Sequence, residues 1–177
     1  ICTVALDAVC LSVNEFQTLL ECSSTLANLT IRSVIFLALP DIPASPEEQL
    51  HAAWSSSRSL TSLDLTCVIF QTEALPQRRD GDLSSLVVQS LSPLPDTMRD
   101  IKFGLRYSGD DVREAIGHML QSENGSLLES IHFSGACRGP WFTPIAEVLL
   151  NNVTVTELSF DSSMFEWRML RQRTSQQ

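Results

Sequence analysis

Leu26-Ala27-Asn28-Leu29-Thr30-Ile31-Arg32-Ser33-Val34-Ile35-Phe36 and Leu60-Thr61-Ser62-Leu63-Asp64-Leu65-Thr66-Cys67-Val68-Ile69-Phe70 are two versions of one pattern, L-x-x-L-x-L-x-x-V-I-F, 34 residues apart. The shorter frame apolar-x-x-apolar-x-apolar recurs at Ile1/Val4/Leu6, Met98/Ile101/Phe103, Leu128/Ile131/Phe133 and Val155/Leu158/Phe160. Six starts therefore fall at positions 1, 26, 60, 98, 128 and 155, at intervals of 25, 34, 38, 30 and 27 residues. One such triple arises by accident in a hydrophobic chain. Six in order at near-regular spacing mark an internal repeat.

The stretch ahead of each new triple carries a helical pattern. Phe16 and Leu20, Leu50 and Trp54, Val87 and Leu91, Ile116 and Leu120, and Ile145 and Leu149 are i, i+4 neighbours, the spacing that puts two side chains on one helix face. Ser45-Pro46-Glu47-Glu48 reads as an N-cap followed by Pro at the first helical position and acids in the first turn. Asp110-Asp111 opens the helix carrying Val112, Ile116 and Leu120, and Asn124-Gly125 reads as a helix stop. Each unit is thus a short strand, a loop, a helix and a return. A single unit cannot bury its own apolar side, so neighbours must stack.

The six triples and the helical pairs resemble the ribonuclease-inhibitor-like class of leucine-rich repeats. The resemblance covers Ile1 to about Met164. It implies an α/β solenoid, or horseshoe, of about six repeats, with parallel strands on the concave side and helices on the convex side. The whole of 1–177 then forms one leucine-rich-repeat domain. The chain departs from the family at the ninth position, where Asn or Cys is usual and Val9, Val34, Val68, Arg106, Ala136 and Ser163 stand instead. Cys10 and Cys137 lie one place later and are candidates to substitute. The long intervals place surplus residues in loops at 38–44 and 75–81.

Composition agrees with a folded chain. Of 177 residues 44% are hydrophobic and 19% charged, which argues against disorder. The net charge of −9 disfavours nucleic acid and anionic lipid surfaces as partners. The densest cationic stretch is Arg168, Arg171 and Arg173 at the end. No apolar run reaches the length of a membrane span. The start, Ile1-Cys2-Thr3-Val4, has neither an initiator Met nor a polar cap, so the sequence reads as part of a longer array, with the flanking chain as one neighbour. Five cysteines without a C-x-x-C pair read as buried free thiols in a cytoplasmic protein. Three N-x-S/T sequons, at Asn28, Asn124 and Asn152, leave secretion open.

Strand alternation predicts which residues face solvent. With positions one, four and six turned inward, positions three, five and seven form a polar, mildly acidic concave surface. Its charged members, Asp7, Arg32, Asp64, Lys102, His132, Glu157 and Asp161, are the candidate binding surface for a protein, with a basic partner surface as the match. The competing reading is a solvated sheet face. Trp141 and Phe142, in the loop Cys137-Arg138-Gly139-Pro140-Trp141-Phe142, are a candidate loop anchor, with packing under the loop as the alternative.

No catalytic, cofactor or metal site is expected. His132, flanked by Ser130 and Ser134 with Asp100 one strand away, allows a hydroxyl-imidazole-carboxylate arrangement, but no G-x-S-x-G elbow accompanies it. His51 and His118 lie on separate helices without metal spacing. Asp80-Gly81-Asp82 and Ser108-Gly109-Asp110-Asp111 read as turns and helix caps. The resemblance implies a non-catalytic protein-interaction scaffold. Its alternatives are a GTPase-activating protein, for which Arg32 with Asn28 is the polar pair available, and a substrate adaptor of a ubiquitin ligase.

Overall fold

The structure, a computed structural model, describes residues 2–38, 43–71, 83–105, 109–122, 127–135 and 142–161. It is an α/β fold built on a six-stranded, all-parallel sheet. The strands are β1 (Cys2–Asp7), β3 (Leu26–Arg32), β5 (Ser62–Thr66), β7 (Asp100–Gly104), β8 (Ser130–Ser134) and β9 (Glu157–Phe160), and they lie side by side in chain order. Register follows the sequence frame. Val4, Leu29, Leu63, Ile101, Ile131 and Leu158 form one row across the sheet, and Leu6, Ile31, Leu65, Phe103, Phe133 and Phe160 a second. In the four inner strands these residues are at most 2% exposed. At the edges Val4, Leu6 and Phe160 are half-buried and Leu158 is 42% exposed.

A second sheet was not read from the sequence. β2 (Cys10–Ser12), β4 (Ile35–Leu37) and β6 (Ile69–Gln71) pair in parallel, with Ile35 opposite Ile69 and Phe36 opposite Phe70. The chain turns from the first sheet into the second at the eighth position of the frame. Ala8, Ser33 and Cys67 take φ of 52°, 52° and 55°, and Gly135 takes 100°. A left-handed residue with a side chain costs roughly 1 kcal/mol. Hydrogen bonds to the neighbouring unit offset it: Ala8 N–H donates to Arg32 O and Ser33 N–H to Thr66 O, both at 3.0 Å.

Beyond this turn backbone satisfies backbone: Ile35 N–H donates to Val9 O and Ile69 N–H to Val34 O, each at 3.0 Å. At the ninth position Val34 and Val68 are fully buried. Cys10 does not take over the asparagine role. It opens β2 and is exposed. The expectation of buried thiols is corrected as well, since Cys2 and Cys22 are also exposed and Cys67 is half-buried. Cys137 lies outside the described residues, as do Arg106, Ala136, Ser163, Asn124-Gly125, Asp80-Gly81-Asp82, loop 75–81 and the arginines near the C-terminus.

Five helices are described. α1 (Val13–Cys22) and α2 (Pro46–Ser56) start with matched capping boxes. Ser12 and Ser45 accept from the backbone of Glu15 and Glu48, and each glutamate accepts the backbone N–H of its serine, at 2.8 and 2.7 Å. Those backbone bonds first, and for each the serine hydroxyl second, hold both carboxyls below their usual range. Their contribution to folding is therefore present at neutral pH and fades as the pH falls through the lowered values. α3 (Ser85–Gln89) is shorter than the spacing of Val87 and Leu91 suggested. It ends at Gln89, and Leu91 is buried in the turn beyond it. α4 (Asp110–Gln121) begins at the acidic pair, and α5 (Thr143–Leu150) follows β8. The helices contact one another in sequence, α1 to α5.

One core joins the inward rows to the helices. Its aromatic centre is Phe16, whose ring lies 4.8 Å from Phe36 and 4.7 Å from Trp54. Burying each such side chain stabilises the fold by about 2–3 kcal/mol. The indole N–H of Trp54 donates to Ser90 Oγ at 3.0 Å, and His51 Nδ1 lies 2.9 Å from Ser90 O, so α2 is tied to the end of α3. No helix among the described residues is long and apolar enough to cross a membrane.

Gly117 lies inside α4, and a Cβ built there would meet nothing within 4 Å. Packing does not require the glycine. Gly117→Ala is expected to stabilise the protein by about 1 kcal/mol, the helix-interior difference between the two residues. Urea denaturation followed by circular dichroism measures it, and an unchanged or lowered midpoint would contradict this account.

Candidate functional site

The face of the six-stranded sheet opposite the core carries three registered rows. The first runs Thr3, Asn28, Ser62, Asp100, Ser130, Glu157; the second Ala5, Thr30, Asp64, Lys102, His132, Ser159; the third Asp7, Arg32, Thr66, Gly104, Ser134. All are half-buried or exposed except Gly104. Asp161 is exposed just past the end of β9.

Asp64 is the hub of this surface. Its Oδ2 lies 3.2 Å from Arg32 Nη2 and 3.5 Å from Lys102 Nζ, while its Oδ1 accepts the Thr66 hydroxyl at 3.0 Å. One carboxylate thus stands between cations from the strands on either side of its own. The Asp64 side chain is 17% exposed, against 51% for Arg32 and 36% for Lys102. Gly104 is required by this arrangement: a Cβ there would lie 2.7 Å from Thr66 Oγ1 and 2.9 Å from Thr66 Cβ. Thr66 leans across β7 only because that strand has no side chain at this point.

His132 follows Lys102 in the middle row. Its Nδ1 pairs with Ser159 Oγ on β9, and the Ser134 hydroxyl donates to Phe103 O at 3.4 Å. The imidazole therefore engages a serine the sequence reading did not single out, and its cross-strand neighbour on β7 is Lys102, with Asp100 two residues away along that strand. His51 ties α2 to α3, and His118 is exposed in the last turn of α4, where a basic group suits the helix end. Among the described residues no group of three or more metal-binding side chains comes together.

Acids collect at the other end of β7 to β9. Asp100 stands in the same row as Glu157, with Glu129 beside Ser130 between them. The carboxyl of Asp100 is held above its usual range, first by partial burial and then by repulsion from Glu129 and Glu157. Arg99 Nε lies 3.6 Å from Glu129 Oε1 and offsets part of this charge. Thr66, Gly104 and Ser159 stand on the expected outward rows without having been singled out, and Glu129 lies outside those rows. Glu129 and Arg99 share the second position of the frame on adjacent strands, a pairing that the three-row scheme does not sample.

Of the loop pair, Phe142 is half-buried, with its ring edge-on to Phe133 at 5.1 Å and to Phe160 at 4.8 Å. Trp141 lies outside the described residues. An open groove of about 350 Å³ runs between α4 and α5, where Gly117 faces Glu147 and Val148 among its lining.

Asp64→Ala is expected to cost about 1 kcal/mol, because it leaves two cations facing each other and a hydroxyl without its acceptor. Lys102→Ala is expected to stay within about 0.5 kcal/mol. Equal midpoints in urea for the two variants would contradict this account. For Asp100 the raised folded value means that the folded chain holds its proton more readily than the unfolded chain. Its charge therefore opposes folding at neutral pH, and the opposition fades as the pH falls through the raised value. Asp100→Asn is expected to stabilise by roughly 0.5 kcal/mol at pH 7, with the gain vanishing in acid. Thermal melts across pH test the sign.

Comparison of the chain with protein-family models, with curated proteins and with solved structures finds no match.

Proposed function

We propose that this chain is a leucine-rich-repeat solenoid of the ribonuclease-inhibitor-like kind, acting as a non-catalytic protein-interaction module that docks its partner on the polar face of the six-stranded sheet. One observation carries the reading. All-parallel sheets are ordinarily covered on both faces. Here one face packs on helices, and the other presents registered rows of small and charged side chains that no described element covers. Strands in chain order and the shared turn at the eighth position support the repeat reading. In the alternative of a GTPase-activating protein, Arg32 and Asn28 would have to act on the nucleotide. Arg32 pairs with Asp64 toward β5, whereas the Asn28 amide donates to Thr3 toward β1 at 3.2 Å, so the two side chains turn to opposite sides of β3, which favours the docking reading.

The test compares two variants in protein capture from lysate. Ser62→Trp with Ser130→Trp obstructs the sheet face, and Gln121→Arg alters the exposed side of α4. Binding is expected to fall at least roughly tenfold for the first, the scale of obstructing an interface centre, and to persist for the second. Equal capture by both, with melts confirming that each is folded, would remove the sheet face from the proposal.

A further inference from the structure

The charges on the sheet face have a layout that specifies what the partner must present. Arg32 and Lys102 reach the same oxygen of one carboxylate. Two positive charges against one negative leave the trio with a net positive charge. The exposures sharpen this: Asp64 is the sheltered member and the cations are the solvent-facing ones. An approaching surface therefore meets positive charge first at Lys102, while Arg32 has exposed Asp7 opposite it on β1. His132, next in the row, adds a ring nitrogen beyond the one engaged with Ser159.

This spot is an exception in its surroundings. The chain carries a net charge of −9, and the opposite end of β7 to β9 carries Asp100, Glu129 and Glu157. A strongly acidic partner is repelled there. A partner lacking any acid forgoes Arg32 and Lys102, whose guanidinium and ammonium groups retain donors beyond those spent on Asp64. Access is open as well. In register with the cations stand Asp7 opposite Arg32 and His132 opposite Lys102, and the other positions around them, Thr30, Thr66, Gly104 and Ser134, are no larger than threonine. Because both cations already reach one oxygen, they stand close enough to share a second carboxylate.

We infer that Arg32 and Lys102, pre-set by Asp64 and Thr66, receive the carboxylate of a single aspartate or glutamate from a protein partner, with basic residues flanking it to meet Asp100, Glu129 and Glu157. The inference rests on the docking reading above and adds the chemistry of the occupant. Asp64 is a positioning residue. It holds the two cations at a fixed separation, and Gly104 holds Thr66 where it can orient Asp64.

The experiment selects binders from a library of random dodecamer peptides displayed on phage, using the intact chain as bait. Binders are then sorted by loss of binding to the Ser62→Trp, Ser130→Trp variant. Peptides lost in that variant are expected to share one acidic position with basic neighbours. Replacing that acid by its amide should weaken binding by about tenfold or more, the scale of a charge-assisted hydrogen bond. Lys102→Glu should abolish binding of the parent peptide and accept the version carrying lysine in place of the acid. If no selected peptide depends on the sheet face, the docking reading itself fails. Face-dependent peptides that lack a shared acid, or that bind Lys102→Met and Arg32→Met as well as the parent chain, overturn the carboxylate assignment and leave docking intact. A phosphoserine version of the peptide binding tenfold tighter than the acidic one would also overturn it, in favour of a phosphate. Melts of Lys102→Met, a half-exposed position, confirm that the fold is retained.

Discussion

Parallel pairing without a slip of register is the constraint on which the molecule depends. From β3 to β9 each inward residue meets its counterpart in the next strand, Leu29 to Leu63 to Ile101 to Ile131 to Leu158. Side chains alternate with a period of two, so a shift of one residue would exchange the apolar rows for the polar ones. That exchange would bury Asp64 and Lys102 and expose Leu63 and Ile101. The cost of burying those charges is far larger than a domain's net stability. The one irregularity in the pairing lies between Cys2 and Thr3 in β1, at the sheet edge, where little is buried.

The same pairing explains what could be read in the sequence and what could not. The six strands were legible from the recurrence of one apolar frame, of which Leu63 is one member, and the starts of α2 and α4 from the local signals at Ser45 and Asp110. The second sheet was not, although Val-Ile-Phe stood in both copies of the frame. Three residues are too few for a strand signal, and these strands exist because the turns at Ala8, Ser33 and Cys67 bring them into line. α3 was overestimated for the converse reason. Val87 and Leu91 both face the core, yet the chain leaves the helix after Gln89. Burial follows apolar character, and helix length does not.

On the surface, the sequence identified the outward residues and missed how they are joined. Asp64, Arg32 and Lys102 come from strands more than 30 residues apart in sequence, and no local pattern encodes their meeting on one oxygen. Gly104 illustrates the difficulty. In sequence it is a glycine at a strand end, unremarked. In the sheet it makes room for Thr66, which orients the acid that holds both cations. Asp100 shows the opposite electrostatic situation, a carboxylate crowded by its own kind. The face thus combines a cluster of mixed charge with a cluster of acids that Arg99 offsets only in part.

The hydrogen-bonded junction of Trp54, His51 and Ser90 has a consequence for how the chain opens. Contacts here run mainly between neighbouring strands and between neighbouring helices. The junction links Phe16 and Phe36 through Trp54 to the end of α3, and a second aromatic group, Phe103, Phe133, Phe142 and Phe160, lies toward β9. On β9 Leu158 is only partly covered, whereas Phe160 stacks on Phe133. Opening under thermal motion begins where little is buried and reaches the fully buried rows of the inner strands last. Arg32, Asp64 and Lys102 sit on the middle strands, in the part of the molecule that stays ordered longest.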